Sequence, residues 1–319
     1  MNAATETTEG LSAPARAPAP TRPFYWSVRR ELWESRSLYI APLVAAGVIV
    51  LSFIFNAIHL QEGIKQLAAL DPGRQRTLVS AVYFGVAMLI TFTTVLVSFF
   101  YSLDALHGER RDRSILFWKS MPVSDLTVVL TKMFTALVVA PAIAFVVIIA
   151  TQLLLLLLST VIVLFGGASP APIWGNLQMF QLTIGLLYTL VALSLWYAPV
   201  CAWLLLVSAW AKRSTFLWAV LPPIAVIVFE RVAFGSKHFS EMLGYRLKHG
   251  LRTAFDSSMQ RGVIVDGQSV ETGRQLPENV LQVLDPVQFF SNPWLWVGLA
   301  VAAALIAATV WMRRYREPI

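Results

Sequence analysis

The chain has 319 residues, of which 57% are hydrophobic and only 13% carry a charge. Its mean hydropathy is +0.65. About a quarter of the residues are charged in an ordinary soluble domain, so the composition excludes a water-soluble globular protein and predicts an integral membrane protein. The net charge of +7 is interpreted as basic residues gathered at the cytoplasmic ends of helices, and not as a nucleic-acid-binding surface.

The amino-terminal residues divide into a tail and an amphipathic helix. Residues 1–21 are rich in Ala, Pro and Thr and have no hydrophobic periodicity, which predicts a disordered cytoplasmic tail. In the helix predicted at 22–37, large apolar side chains share one broad face: Tyr25, Trp26, Val28, Leu32 and Trp33. Arg30, Glu31 and Glu34 lie on the opposite face. This pattern indicates a helix that lies in the membrane interface.

Six apolar stretches follow, each long enough to cross the hydrocarbon core of a bilayer. They are predicted at 38–58, 79–103, 127–165, 182–210, 215–234 and 293–312. The first follows basic residues, as a signal peptide does, but it is too long and lacks a cleavage site, so we interpret it as a retained helix. The predicted fold class is all-α, a polytopic membrane protein with six transmembrane helices and an amino-terminal amphipathic interfacial (elbow) helix.

The third stretch is unusually long. Its residues would form a helix of about 58 Å at 1.5 Å per residue, nearly twice the thickness of the hydrocarbon core. It could be two spans joined by a hairpin, or one tilted helix that projects into the cytoplasm. No Gly, Asn or charged residue interrupts 133–165, which favours one helix. With six spans and both termini in the cytoplasm, fifteen of the 25 basic residues lie on the cytoplasmic side, as the positive-inside rule requires.

The segment between the second and third spans, 103–132, holds the densest group of charges. The mixed-charge run 109–113 (ERRDR) is followed by the apolar run 115–118 (ILFW). Ser124 or Asp125 can cap the amino terminus of the third helix. Charges followed by aromatic residues suit docking on a soluble partner. Alternatively, the segment is an ordinary basic flank whose aromatic residues anchor it among lipid headgroups.

This segment resembles the region after the second span of ABC-2 type transporter permeases, the membrane subunits of one class of ABC transporter. In that family an E-R-x-x-(R/G)-(S/T)-(I/L) run precedes a hydrophobic pair, a Pro followed by a small polar residue, and a Lys in the next helix. The matching residues are Glu109-Arg110, Arg113-Ser114-Ile115, Leu116-Phe117, Pro122 with Ser124, and Lys132. The elbow helix and the six-span plan match as well.

The resemblance implies that 104–126 is a coupling segment, seated in a cleft of a separate ABC ATPase subunit. ATP and Mg would bind that subunit, so this chain is expected to carry no cofactor and to be no enzyme. A second permease subunit, identical or a paralogue, would complete an exporter in the bacterial inner membrane, with membrane lipid but no nucleic acid as a further partner. The coupling residues that the resemblance implies are Glu109, Arg110, Arg113, Ile115, Leu116, Phe117 and Pro122. We add their neighbours Trp118 and Lys119 to this set.

Two further features are candidates for function. Glu230 and Arg231 lie near the end of the fifth span, either as a functional pair within the membrane or as an ion pair at the headgroup boundary. The external segment 235–292 is longer than in the simplest permeases, and it could be partly re-entrant, form a cap or receive substrate. Within it, short amphipathic helices are predicted at 239–243 and 280–284, and a small hairpin is predicted at 262–268.

Two other classes of function remain alternatives. A secondary transporter or channel-like protein would work without ATP, but it needs intramembrane charges for ion coupling or an inverted repeat, and the sequence shows neither. A membrane-bound scaffold could share the helical bundle without transporting anything. The sequence contains no G-x-x-x-x-G-K-[ST] and no H-E-x-x-H motif, so nucleotide hydrolysis and metalloprotease activity are not expected of this chain.

Overall fold

The chain is helical throughout the part that can be described. The computed structural model describes residues 23–57, 62–63, 66–67, 69–112, 124–167, 169–250 and 284–315. No β-strand occurs in these residues, and six of their helices are long and apolar enough to cross a membrane. The chain is therefore an all-α, multi-pass membrane protein, which confirms the predicted fold class. The predicted tail at 1–21 lies outside the described residues.

Eleven helices are described. In chain order they are α1 (Pro23–Glu34), α2 (Ser37–Phe55), α3 (Pro72–Asp104), α4 (His107–Arg111), α5 (Asp125–Phe165), α6 (Ala171–Asn176), α7 (Met179–Trp210), α8 (Thr215–Ala233), α9 (His238–Lys248), α10 (Pro286–Ser291) and α11 (Pro293–Tyr315). The spans are α2, α3, α5, α7, α8 and α11. α3 begins earlier than predicted because Asp71 caps it, accepting a hydrogen bond from the Arg74 N–H at 3.1 Å, and Pro72 suits a first turn.

The long third span is one helix and not a hairpin. Ser124 caps its amino terminus by accepting a hydrogen bond from the Thr127 N–H at 3.1 Å. The helix then runs on to Phe165 through a single π turn at Thr135–Val139. Pro141 lies two residues after this turn, and proline disturbs regular helical hydrogen bonding because it lacks an N–H and crowds the preceding turn.

α7 is the central helix of the bundle. It is the most buried span and packs against α3, α5, α8 and α11. α8 is the least buried and packs against only one side of the bundle. Its large apolar side chains, such as Phe229 and Val232, are therefore directed outwards, as expected of side chains that face lipid.

The two ends of the bundle differ in chemistry. At one end, which we call the charged end, α1, α4, the start of α5 and the end of α11 come together. Away from this end, α9 contacts α7 through hydrogen bonds from Trp196 Nε1 to the Arg246 carbonyl at 2.8 Å and from Tyr197 Oη to the Leu247 carbonyl at 3.1 Å.

α9 lies alongside the spans and not beyond their ends. From Trp196 to the end of α7 at Trp210 is about 21 Å along the helix axis at 1.5 Å per residue. The hydrocarbon core is about 30 Å thick. α9 also contacts Trp294, the second residue of α11, so the re-entrant alternative for 235–292 stays a prediction. The amphipathic helix predicted at 239–243 lies within α9, whereas the hairpin predicted at 262–268 lies outside the described residues.

The Arg246 side chain of α9 packs against α11 at Gly298. Its Nη1 donates a hydrogen bond to the Trp294 carbonyl at 2.9 Å, and its Cζ lies 4.5 Å from the centre of the Trp196 ring. A Cβ atom at Gly298 would overlap the Arg246 guanidinium. The absence of a side chain at Gly298 therefore allows this close approach of α9 to α11.

Gly298→Ala should displace the Arg246 side chain and lower the free energy of unfolding by about 1–3 kcal/mol, because the displaced guanidinium loses its hydrogen bond to the Trp294 carbonyl and its contact with the Trp196 ring. Arg246→Ala removes the clashing group, so adding Gly298→Ala to it should cost little more. Thermal unfolding of the detergent-solubilised protein measures both effects. Gly244→Ala is the matched control, because a Cβ there meets nothing within 4 Å. Additive losses in the double variant would contradict the proposed clash.

Candidate functional site

Six charged side chains from four helices meet at the charged end. We call them the charge cluster, and its members are Arg30, Glu31, Glu109, Asp125, Lys132 and Arg313. Three of them are acidic and three are basic, so the cluster is electrically balanced. The balance of charges matters because moving one ion out of water costs on the order of several kcal/mol. An opposite charge and hydrogen bonds are needed to offset that cost.

Lys132 lies at the centre of the cluster and is only 2% exposed. Its Nζ donates a hydrogen bond to Glu31 Oε1 at 2.9 Å and lies 3.0 Å from Glu109 Oε1. Because these three residues belong to α5, α1 and α4, one ammonium group joins three helices. The residue stands near the start of α5, on the side that faces α1.

The carboxylate of Glu109 forms ion pairs with three basic side chains. Besides Lys132, Arg30 Nη2 lies 3.1 Å from Oε1 and Arg313 Nη1 lies 2.8 Å from Oε2. Arg313 also donates through Nε to Asp125 Oδ1 at 2.9 Å. The end of α11 is thereby joined both to α4 and to the first residue of α5.

Glu31 turns the polar face of α1 towards the bundle. Besides the bond to Lys132, its Oε2 accepts a hydrogen bond from Tyr101 Oη of α3 at 2.8 Å. Burial opposes the positive charge of the neighbouring Arg30, but the carboxylates of Glu31, Glu34 and Glu109 outweigh it and raise the pKa of that guanidinium. Arg30 is therefore held as a cation beside its carboxylate partners.

Arg110 joins α4 to α7 in a reciprocal cap. Its Nη2 donates to the carbonyls of Ser208 and Ala211, each at 2.7 Å, at the end of α7. The Ser208 hydroxyl in turn accepts hydrogen bonds from the N–H groups of Leu106 and His107, at 3.0 and 2.9 Å. Each helix end thus supplies partners for backbone groups that the other helix cannot satisfy internally.

α4 is therefore fixed from two sides. Its acidic residue, Glu109, contacts α1, α5 and α11, and the next residue, Arg110, contacts α7. Any displacement of this short helix acts on four other helices through charge-assisted hydrogen bonds, which are about twice as strong as neutral ones. The arrangement can transmit a movement, and it offers no reactive group held against a cavity.

The predicted coupling residues fall into two groups. Glu109 and Arg110 are 7% and 5% exposed, so they are enclosed by the chain's own helices and do not present a surface to a partner. The others lie outside the described residues: Arg113, Ile115, Leu116, Phe117, Trp118, Lys119 and Pro122. The residues on either side of that segment, Asp112 and Ser124, are both exposed at the charged end.

Several members of the site were not predicted as functional. Glu31, Arg313 and Ser208 carry contacts at the site. From the sequence, Glu31 and Ser208 were interpreted as parts of helices, and Arg313 as one of the basic residues on the cytoplasmic side. A usable signal was present, since Glu31, Lys132 and Arg313 each stand beside or within an apolar run at the end assigned to the cytoplasm. Charges so placed need partners, and the need is greatest for Lys132.

Glu230 and Arg231 lie near the carboxyl end of α8. Among the described residues no ion pair joins their side chains. Glu230 instead accepts hydrogen bonds from Ser236 Oγ at 2.7 Å and from the Phe239 N–H at 3.0 Å, at the first turn of α9. The carboxylate thus caps the next helix, and Arg231 is exposed.

Comparisons with protein-family models, with curated proteins and with solved structures found no match to this chain. The fold places it in the class of all-α multi-pass membrane proteins. In the part of the chain that the structure describes, no group of three or more His, Cys, Asp or Glu side chains could hold a metal ion.

Proposed function

We propose that the chain is the membrane-spanning permease subunit of an ABC-2 type transporter, an exporter driven by a separate ABC ATPase. The observation that carries the proposal is the double anchoring of α4, by Glu109 to α1, α5 and α11 and by Arg110 to α7. α4 directly precedes the segment 113–123, whose sequence resembles the coupling segment of that family. A movement imposed on this segment would pass through α4 into the spans.

The mechanism is a population shift. ATP binding favours one arrangement of the ATPase subunits, and the coupling segment conveys that preference to the permease. ATP and Mg bind the ATPase, so this chain supplies contacts and no cofactor. A second permease subunit, an identical copy or a paralogue, provides the other half of the transporter. The chain is not itself an enzyme in this scheme.

The charged end faces the cytoplasm in the proposed topology. It holds Arg30, Lys132 and Arg313, and the positive-inside rule assigns the end rich in Lys and Arg to the cytoplasm. In a bacterium this topology places the protein in the inner membrane with both termini in the cytoplasm. The segment 113–123 then lies on the side where ATP is available.

Replacing residues 113–122 by a Gly/Ser linker of equal length tests the proposal. The tagged chain is purified from its native membranes, and the eluate is assayed for ATP hydrolysis and for a co-purifying ATPase by intact-complex mass. The unaltered chain should retain the ATPase. The amount of ATPase that co-purifies with the linker variant should be at least about tenfold lower, since a loss of ~1.4 kcal/mol of contact energy weakens binding tenfold. The same replacement of 251–260 is the control. Equal association in all three proteins contradicts the coupling assignment.

An ATP-independent secondary transporter is the second candidate, because buried acidic and basic side chains such as Glu31 and Lys132 are used for ion coupling in that class. Such transporters bind substrate and ions near the middle of the membrane, whereas the charge cluster lies at one end of the spans. That position favours transmission over ion binding. Flux into proteoliposomes driven by a pH gradient in the absence of ATP would support this second candidate.

A further inference from the structure

The outward face of α1 carries a cation held between two indole rings. Arg29 Cζ lies 5.4 Å from the centre of the Trp26 ring and 4.9 Å from the centre of the Trp33 ring. The three residues are spaced three and four apart, so they form one stripe along the helix. Trp26 is 57% exposed and Trp33 is 67% exposed, and Arg29 is exposed as well.

The acidic residues of α1 lie on its other side. Glu31 is enclosed by the bundle, and Glu34 lies 3.5 Å from Arg30, measured from Oε1 to Nε. Within the part of the chain that the structure describes, Arg29 forms no ion pair. The exposed stripe therefore has a net positive charge. Arg36, in the short connection to α2, is exposed and adds a second cation.

The stripe lies where the chain enters the membrane. α2 begins at Ser37, two residues after Ser35, so α1 leads directly into the first span. On its inner side α1 packs on α5, where the Phe24 and Phe134 ring centres are 5.4 Å apart. Its aromatic outer side is thus placed at headgroup level, the depth that tryptophan prefers.

We propose that the stripe of Trp26, Arg29 and Trp33, together with Arg36, binds the phosphate of an anionic phospholipid headgroup. The Arg29 guanidinium lies over both indole rings, and its N–H groups are the donors offered to a ligand. A planar fork of donors matches a phosphate. Net positive charge selects an anionic lipid over a zwitterionic one, because each basic residue near a membrane surface strengthens binding about fivefold. The inference does not depend on the transport function.

Lipid retention by the full chain tests this site. The protein is purified in a mild detergent, depleted of lipid and titrated with mixed micelles of phosphatidylglycerol or phosphatidylcholine. Bound lipid is counted by intact mass spectrometry, and the thermal unfolding midpoint is recorded in parallel. Phosphatidylglycerol should be retained and should raise the midpoint. Phosphatidylcholine and soluble glycerol phosphate should do neither.

Arg29→Gln should weaken phosphatidylglycerol retention about fivefold, and Arg29→Gln with Arg36→Gln should weaken it further. The matched control is Arg111→Gln, an exposed arginine at the same end of the bundle whose Nε lies 3.2 Å from the Asp112 carboxylate. Trp26→Leu with Trp33→Leu keeps both cations and should weaken retention by removing the stacking surfaces. Size-exclusion profiles check that every variant is folded.

Three results would overturn the assignment. One is equal loss of lipid in the Arg29 and Arg111 variants, which would indicate a diffuse surface charge. Another is equal retention of phosphatidylcholine and phosphatidylglycerol, which would remove the selectivity. The third is a full thermal shift with glycerol phosphate alone, which would identify a site for a soluble phosphate and not for a lipid.

Discussion

Lys132→Met should lower the free energy of unfolding by about 3–5 kcal/mol, the usual loss when one member of a buried ion pair is removed. Methionine fills a similar volume, so the loss reports the charge and not a cavity. Glu31 and Glu109 would then share the cations Arg30 and Arg313 with Asp125. The measurement is unfolding in mixed micelles by titration with a denaturing detergent.

Adding Glu31→Gln to Lys132→Met should recover most of this loss. The double variant again contains equal numbers of acidic and basic side chains, and the glutamine amide oxygen still accepts from Tyr101. Arg111→Ala is the control, since its ion pair is exposed and such pairs contribute about 0–1 kcal/mol. A double variant less stable than Lys132→Met would contradict the balance argument.

Glu109→Gln should destabilise the protein by a similar amount, about 3–5 kcal/mol, and should also uncouple ATP hydrolysis from the permease. The change preserves the shape of the side chain but leaves Arg30, Lys132 and Arg313 with two carboxylates of the cluster, those of Glu31 and Asp125, besides the exposed Glu34. In the proposed transporter, the permease-dependent ATPase activity of the co-purified complex should fall at least about tenfold, which corresponds to ~1.4 kcal/mol of lost coupling.

A compensating change separates stability from coupling. Adding Arg313→Gln to Glu109→Gln restores the charge balance, so most of the stability should return. The connection from α4 to α11 stays broken, so the ATPase activity should remain low. If both stability and ATPase activity return together, Glu109 acts only as a structural residue. If neither variant changes ATPase activity, α4 does not carry the coupling.

The six spans could be predicted because their signal is local. An apolar run of about 20 residues identifies a span whatever surrounds it, and the predicted ends of five spans lie within three residues of those observed. α3 differs most, since its start is fixed by the Asp71 cap and not by hydropathy. The single long α5 was predictable from the charge bias. The π turn at Thr135–Val139 was not, because no residue pattern specifies it.

The charge cluster could not be predicted because its contacts are distant in sequence. Lys132 meets a residue 101 positions away, and Glu109 meets one 204 positions away. Glu109 and Arg110 were predicted as coupling residues that contact a partner subunit, and so were expected on the surface. They turn inwards because opposite charges and unsatisfied carbonyls are available there. Glu230 could not be assigned from the sequence for the same reason, since its partners Ser236 and Phe239 lie beyond the end of the span.

The charge cluster also has a consequence for the order in which the chain is made. α1 leaves the ribosome before the other described helices, and its Glu31 has no partner from α5 until Lys132 has been synthesised. Without α11, the charge cluster holds three acidic side chains and two basic ones, so it stays unbalanced and open to water. Arg313 closes it. The last described helix therefore completes a contact network that the first described helix begins, so a chain that stops before α11 differs from one that contains it by an unbalanced charge cluster.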